Sequence, residues 1–167
     1  METPTSKPIK SEFFTVGRNL GNSPWVTVDQ EMISKFGEAT LDLDPMHVDP
    51  SWSKENSPYG ETIAFGFLTS SLLTHMLHGV LGTSTAGDAT DEGYFMNYGM
   101  DYLRFISPVP VNCRIRGYFK ILDNRIDDRG RNIIKYDCEI KIEGVDKPAL
   151  VAQWLAILIP HEKSSQK

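Results

Sequence analysis

Hydrophobic positions divide the chain into a helical first half and a strand-rich second half. From residue 63 to residue 81 the apolar side chains recur at helical spacing, and the first turns are apolar on nearly every side. This pattern predicts one long, buried central helix. Residues 94–105, 111–122, 132–143 and 149–159 are instead rich in aromatic and β-branched residues, with turn-forming segments between them. We therefore expect an α+β fold in which an antiparallel sheet wraps around the helix.

Weaker signals precede and flank these elements. Residues 13–16 have the apolar, β-branched character of one more strand. The run Thr27-Val28-Asp29-Gln30 resembles a capping box, and the apolar residues after it recur at helical spacing, which predicts a helix. Residues 83–93 are rich in Gly, Ala, Thr and Asp and are predicted to form a loop. We expect residues 1–10 and 161–167 to be flexible ends of a single domain spanning residues 11–160.

Composition narrows the class of protein. With 167 residues, of which 40% are hydrophobic and 23% charged, the chain can bury a core of its own. It contains neither a signal-like segment nor an apolar run near the ~20 residues that span a bilayer, so we expect a cytoplasmic protein without a membrane partner. The net charge of −5 and the lack of a basic field argue against nucleic-acid binding. Cys113 and Cys138 lie in strand-like segments without CxxC spacing, and we expect buried, reduced thiols.

Candidate acid–base chemistry lies just before the long helix, at Asp42 and His47. On a continuous helix these positions would point about 140° apart. Pro45 interrupts such a helix, and an Asp44-Pro45 turn can fold the imidazole back towards Asp42. A carboxylate and a neutral imidazole that share one water can act as base and acid, and such proton transfers contribute about 10²–10⁴-fold in rate.

The start of the long helix offers a second chemical element at Gly66. Backbone N–H groups in a first helical turn lack intrahelical partners, and the helix dipole favours negative charge there. Glycine lets a ligand approach the backbone closely, so the oxygen of a carbonyl compound that becomes an enolate would be stabilised. Thr62 is an alternative N-cap, and a helix beginning there would occupy the Gly66 N–H. The oxyanion prediction therefore requires a helix start nearer Ala64.

Metal binding is a further alternative that the spacing does not favour. The acidic run from Asp42 to Asp49 has His47 where a calcium EF-hand needs glycine, and Ser53 where it needs glutamate. His75 and His78 are three residues apart on the predicted helix, but no third zinc ligand is evident. We predict no metal site, and we interpret these histidines as helix-end residues that interact with the dipole.

Five segments together resemble a known family. They are Phe36-Gly37-Glu38-Ala39-Thr40-Leu41-Asp42, Asp44-Pro45-Met46-His47-Val48-Asp49, Gly60-Glu61-Thr62-Ile63-Ala64-Phe65-Gly66, Asn97-Tyr98-Gly99 and Arg104-Phe105-Ile106-Ser107-Pro108-Val109-Pro110-Val111. The chain resembles the MaoC-like dehydratases of the hot-dog fold, in particular the nodulation-protein-N-like branch and the (R)-specific enoyl-CoA hydratases. The similarity runs from about residue 14 to residue 159.

The resemblance implies a hydro-lyase. Such an enzyme adds water to a trans-2-enoyl thioester, here of CoA, to give an (R)-3-hydroxyacyl thioester, or catalyses the reverse dehydration. CoA would be part of the substrate, and no separate cofactor is implied. By motif position Asp42 and His47 match the catalytic pair, and Gly66 matches the residue whose amide receives the thioester oxygen.

Three further polar residues are candidates for substrate binding or for supporting the site. Thr74 falls where some family members carry a supporting hydroxyl, and Ser71 is another hydroxyl on the same helix. The resemblance places Asn97 near the substrate channel, although an ordinary strand amide is the simpler interpretation of this residue.

The chain departs from the family pattern at three positions. Leu41 stands where glycine is usual and should stiffen the turn before Asp42. Asp44 stands where Asn or Gln is usual and places a second carboxylate near the pair. Phe65 replaces a histidine, removes a polar group from the mouth of the site and should favour apolar acyl groups.

Two other functions stay open. A hot-dog thioesterase would use a carboxylate to activate water against the carbonyl carbon, and only that reaction releases free thiol. A non-catalytic acyl-binding or assembly protein could keep the same fold.

Assembly follows from the predicted sheet, because unpaired edge strands with apolar neighbours are a liability in a soluble protein. We expect a symmetric homodimer, or a dimer of such dimers, formed by edge-to-edge pairing as the resemblance also implies. The site would lie at the seam and bind a small acyl-thioester substrate.

Overall fold

The computed structural model describes residues 13–82 and 93–160, and within them an α+β fold is confirmed. The predicted loop at 83–92 and the predicted flexible ends lie outside the described residues. Gly93, expected in that loop, begins a strand. The elements in chain order are β1 (Asn19–Asn22), β2 (Val26–Val28), α1 (Gln30–Thr40), α2 (Pro45–Val48), α3 (Pro50–Asn56), α4 (Gly66–Leu81), β3 (Gly93–Phe105), β4 (Cys113–Ile126), β5 (Asn132–Ile142) and β6 (Leu150–Pro160).

The described strands form one antiparallel sheet in the order β1-β4-β5-β6-β3, and β2 pairs with β4 as well. The four long strands predicted from the sequence are confirmed. The largest shift of a boundary is at the end of β4, which continues to Ile126 rather than ending at residue 122. Strand β3 pairs with β6 on one side and forms an edge of this sheet.

Helix α4 packs across one face of the sheet, which confirms the predicted central helix. Its side chains Leu73 and Met76 are fully buried and belong to one core cluster with Ile115, Phe119 and Ile134 of the sheet. Each buried side chain of this size contributes about 1.5–3 kcal/mol to stability. None of the helices in the described ranges combines the length and apolarity that a membrane crossing requires.

Two predictions for the N-terminal region are wrong. Residues 13–16 form no strand, because the chain turns here, with the Arg18 N–H donating to the Thr15 carbonyl at 3.0 Å. Phe14 is nevertheless fully buried, and its ring packs edge-on against Phe95 and Tyr136. The capping-box prediction is also wrong in its register. Asp29 is the N-cap of α1, and its carboxylate accepts a hydrogen bond from the N–H of Met32 at 2.8 Å.

Both cysteines are free thiols, as predicted. Cys138 is buried, but Cys113 is only half-buried, so the predicted burial of Cys113 is wrong. Burial raises the pKa of each thiol above its ordinary value, so both stay protonated near neutral pH. Neither has the low pKa that a cysteine nucleophile needs.

Candidate active site

The turn that carries Asp42 is built on a left-handed leucine. Leu41 is the C-cap of α1 with φ 61° and ψ 21°, a conformation that favours glycine, and its side chain is 89% exposed. The next N–H, that of Asp42, donates to the Gly37 carbonyl at 3.0 Å. Asp42 therefore follows directly from a constrained helix end, and its side chain is exposed.

Asp44 is a helix cap. Its carboxylate accepts a hydrogen bond from the N–H of Met46 at 2.9 Å, and its own N–H donates to Oδ1 of Asp42 at 3.3 Å. Pro45 is thus the first residue of the one-turn helix α2 rather than part of a simple turn. Asp49 is a helix cap of the same kind before Pro50, and its carboxylate accepts from the N–H of Trp52 at 2.9 Å.

His47 lies on α2 with its imidazole fixed from two directions. Its Nδ1 is 2.7 Å from the carbonyl oxygen of Ile63. A carbonyl can only accept, so Nδ1 carries the proton and the neutral ring keeps its lone pair on Nε2. The ring also lies against Phe65, with 3.9 Å between centroids and a 34° tilt. The side chain is therefore held in one tautomer and one orientation.

Phe65 does not lie at the mouth of the site, and that expectation is wrong. It is 4% exposed, and its ring is packed between His47 and Phe36, whose centroid is 5.3 Å away. The reason is that α4 begins one residue later than Phe65, which leaves Phe65 as an extended N-cap with its side chain in the core. Its ring supports the imidazole instead of lining an acyl entrance.

Gly37 packs closely against the Asp42 backbone and against Val48 and Phe65, which neighbour His47. A Cβ atom at Gly37 would lie 2.7 Å from the Asp42 carbonyl oxygen, 3.0 Å from Cγ1 of Val48 and 3.2 Å from Cζ of Phe65. Only glycine allows this approach. No hydrogen bond or ion pair in the described part of the chain joins the two side chains directly, so their convergence on one water stays a prediction.

The N-terminus of α4 leaves the amide of Gly66 available. The helix begins at Gly66, its N-cap provides no side-chain hydrogen bond, and the Thr69 N–H donates to the Phe65 carbonyl at 3.1 Å. Among residues 13–82 and 93–160 no hydrogen bond uses the Gly66 N–H, so the alternative of a cap at Thr62 is wrong. A Cβ at Gly66 would lie 2.9 Å from the exposed Phe105 ring, which would have to move to admit it.

A groove follows α4 along the edge strand β3. It consists of two adjoining cavities of 290 Å³ and 130 Å³, which share Thr74, Asn97 and Trp154 in their walls. Ser71 lines the larger cavity, although its hydroxyl donates to the Phe67 carbonyl of its own helix at 2.7 Å. The smaller cavity ends on Tyr136, and burial raises the pKa of this phenol so that it stays neutral.

The structure thus brings Ser71, Thr74 and Asn97 to one groove. In the two described ranges no group of three or more His, Cys, Asp or Glu side chains could hold a metal ion.

Comparison with known proteins decides the family. The model of the MaoC like domain matches residues 12–142. The chain belongs to the MaoC-like dehydratase family. Nodulation protein N of Rhizobium meliloti (strain 1021) is 41% identical over 142 residues, which are 85% of this chain and 85% of that protein. The 3-hydroxyacyl-thioester dehydratase Z of Mycobacterium tuberculosis (strain ATCC 25618 / H37Rv) is 35% identical over 142 residues, 82% of this chain and 86% of that protein.

Solved structures confirm the hot-dog fold of this MaoC-like protein. The (R)-hydratase from A. caviae involved in PHA biosynthesis superposes with a TM-score of 0.68 at 19% identity, over 87% of this chain and 97% of that chain. The antiparallel sheet and the central helix α4 are therefore those of a hot-dog domain.

Two residues that bond around His47 are not found by sequence analysis, which interprets Gln30 only as the end of a capping box and Thr62 only as a helix cap. The Thr62 hydroxyl donates to Oε1 of Gln30 at 2.5 Å, and Nε2 of Gln30 donates to the His47 carbonyl at 2.9 Å. No local pattern could have shown this, because the two residues are 32 positions apart.

Proposed function

We propose that the protein adds water to trans-2-enoyl thioesters of CoA to give (R)-3-hydroxyacyl thioesters, or catalyses the reverse dehydration. The observation that carries the proposal is the short segment from Ile63 to Gly66. The Ile63 carbonyl accepts the proton of His47 Nδ1, and the Gly66 N–H has no hydrogen-bond partner among the described residues. Membership in the MaoC-like family and 35% identity to a named 3-hydroxyacyl-thioester dehydratase support the same reaction class.

In this mechanism Asp42 and His47 hold one water. Nε2 of His47 accepts a proton as the hydroxyl adds to the β-carbon of the substrate, and the pair delivers a proton to the α-carbon. The Nδ1–H bond to the Ile63 carbonyl strengthens as the ring gains positive charge. Asp42 and His47 share no direct hydrogen bond in the described structure, and in this proposal one water bridges them.

The thioester oxygen becomes negatively charged when the β-carbon is attacked. The N–H of Gly66 is the donor for this enolate oxygen, and the positive end of the α4 dipole adds to the stabilisation. Because the donor is part of the backbone and already in place, it needs no rearrangement during the reaction.

The acyl chain occupies the groove between α4 and β3 in this proposal. The polar residues Thr74 and Asn97 lie where the two cavities join, and the smaller cavity is lined mainly by apolar side chains such as Leu77 and Phe95. Such a lining suits a predominantly apolar chain.

We also infer that two copies assemble through β3. This 13-residue edge strand exposes Tyr94, Met96 and Tyr98, and pairing two such edges would remove both from solvent. A two-fold arrangement would place the second copy against the groove, where it forms part of the acyl wall.

The deciding experiment is an assay of enoyl-CoA thioesters of increasing chain length, with separate detection of the conjugated double bond and of free thiol. We expect loss of conjugation, the (R)-3-hydroxyacyl product and no thiol. Release of thiol would instead show a thioesterase. Binding of the thioesters without either change would show an acyl-binding protein, and each of these two results would overturn the proposal.

A further inference from the structure

The side-chain amide of Gln30 uses all of its hydrogen-bonding groups. Nε2 donates to the His47 carbonyl at 2.9 Å and to Oγ of Ser34 at 3.2 Å. Oε1 accepts from the Thr62 hydroxyl at 2.5 Å. Because the His47 carbonyl can only accept, it fixes the amide nitrogen on its side, and the Thr62 hydroxyl then donates to Oε1. Gln30 thereby connects α1, α2 and the segment before α4.

The Thr62 end of this connection is buried. Thr62 is 1% exposed, and the next residue supplies the carbonyl that accepts from Nδ1 of His47. The Ile63 N–H returns a bond to the Met46 carbonyl at 3.4 Å. Leaving a buried donor or acceptor without a partner costs about 1–3 kcal/mol, so losing the partner of the Thr62 hydroxyl would be costly.

We propose that Gln30, together with Thr62, is a positioning residue for His47, an inference that rests on the function proposed above. Gln30 and Thr62 are called the brace below. The brace holds the backbone of His47 through the Gln30 amide, and it holds the imidazole because Thr62 fixes the neighbouring Ile63 carbonyl. The orientation of Nε2 therefore depends on two hydrogen bonds, one to the His47 carbonyl and one from Nδ1 to the Ile63 carbonyl.

The need for a brace follows from the length of α2. This helix has four residues, far fewer than a helix needs to be stable by itself, so its place must come from tertiary contacts. Without the brace α2 can shift relative to Ile63, and the Nδ1–H bond that selects the tautomer weakens. A displacement of about 1 Å in a catalytic group can cost about 10²-fold in rate.

Three variants distinguish an effect of the hydrogen-bonding groups of Gln30 and Thr62 from an effect of their packing alone. Gln30→Met keeps a long side chain without the amide, and Thr62→Val keeps the shape without the hydroxyl. We expect each to lower kcat by about 10–100-fold with KM unchanged, because the ring and not the substrate groove is displaced. Thr62→Ser keeps the hydroxyl and should retain the parent kcat. The double variant should be little worse than either single one, since the two residues act as a unit.

A second measurement does not depend on turnover. In ¹⁵N NMR of the histidine side chains, neutral His47 of the parent should show the Nδ1–H tautomer, and Gln30→Met and Thr62→Val should show a mixture of tautomers. If the parent hydrates no thioester, the proposed function fails, but this spectrum still tests the brace.

The matched control is Ser23→Ala. It removes a buried hydroxyl that accepts from the Gly117 N–H at 3.0 Å, away from α2. It should lower stability while kcat and the His47 tautomer stay at the parent values. The proposal is overturned if the brace variants keep the parent tautomer, if a changed tautomer leaves kcat unaffected, or if Ser23→Ala lowers kcat as much as they do.

Discussion

The surroundings of His47 and the edge strand β3 differ in how much of their packing one chain supplies. His47 is held within one chain by the Ile63 carbonyl, the Phe65 ring and the Gln30 amide. Strand β3 has a neighbour on one side, and Met96 in its outer surface is 51% exposed. One chain can therefore position His47 by itself, whereas the groove beside β3 stays open on one side. In the dimer proposed above, a second copy would close it.

The strand pairing shows why the second region is less regular. The register of β3 against β6 shifts between Asn97 and Gly99 and again between Met100 and Tyr102. Such bulges increase the local twist of a strand and are common at sheet edges and beside active sites. Substitutions in each region should therefore differ in their effects on activity and assembly.

The largest effect is expected at the acid–base pair. Asp42→Asn and His47→Gln should each reduce hydration by about 10²–10⁴-fold, because each removes a group that holds or moves the proton. The double variant should be little slower than either single variant. Initial rates on the best thioester of the parent give the answer, with circular dichroism to verify folding. Near-normal turnover by both single variants would show that the assignment is wrong.

A large effect on assembly is expected at the edge strand. Met96→Lys places a charge on the outer surface of β3 and should weaken self-association, and it should lower activity most at low protein concentration. Sedimentation and activity measured over a dilution series provide the test. Ile126→Lys is the matched control, because Ile126 is also an exposed apolar strand residue but lies on β4. A parent that is fully active as a monomer would contradict both the dimer and the shared groove.

A smaller effect is expected at Phe65. Phe65→Leu removes the ring contact with His47, and since aromatic contacts contribute about 0.5–1.5 kcal/mol, kcat should fall by about 2–10-fold. Phe65→His should likewise change kcat for all chain lengths to a similar degree, because the residue is buried behind the imidazole. Relative kcat/KM values across the thioester series measure this. A selective shift among acyl chains would place Phe65 in the pocket wall after all.

The smallest effect is expected at Leu41. Its φ of 61° is strained for leucine, and its side chain makes little contact with the protein. Leu41→Gly should therefore raise the free energy of unfolding by about 1 kcal/mol, as measured by urea denaturation. Leu41→Ala keeps a Cβ and should give no such gain. Equal stability of the two variants would argue that the turn stores no strain.

The parts of the fold that the sequence predicted well are those with long, regular patterns. Strands of 11 to 14 residues, such as β4 and β5, carry enough alternation to be recognised, and so does α4. The start of α4 was placed too early because Ile63 and Ala64 are buried without being helical. Ile63 forms a bridge with Pro110, and the Ala64 N–H donates to the Val109 carbonyl.

The candidate site likewise contains residues that the sequence could indicate and residues that it could not. Asp42, His47 and Gly66 could be proposed because they lie in short, recognisable segments of the sequence. The capping by Asp44 was not foreseen, although an Asp-Pro pair is a reasonable helix start in itself. The brace could not be predicted, because it depends on contacts between residues that are distant in the chain. The inward position of Phe65 could not be predicted either, because it depends on whether α4 begins at Phe65 or at Gly66.

The repeated Asp-Pro pairs before α2 and α3 have a consequence for the entropy of the His47 segment. Asp44 and Asp49 each cap a short helix whose first residue is proline, and Asp49 is also the C-cap of α2. Proline restricts φ in the unfolded chain too, so less conformational freedom is lost when this segment orders. Binding a substrate need not organise the histidine, and much of the ordering is already complete in the free protein. Amide hydrogen exchange in residues 46–53 should consequently be slow before any ligand is added.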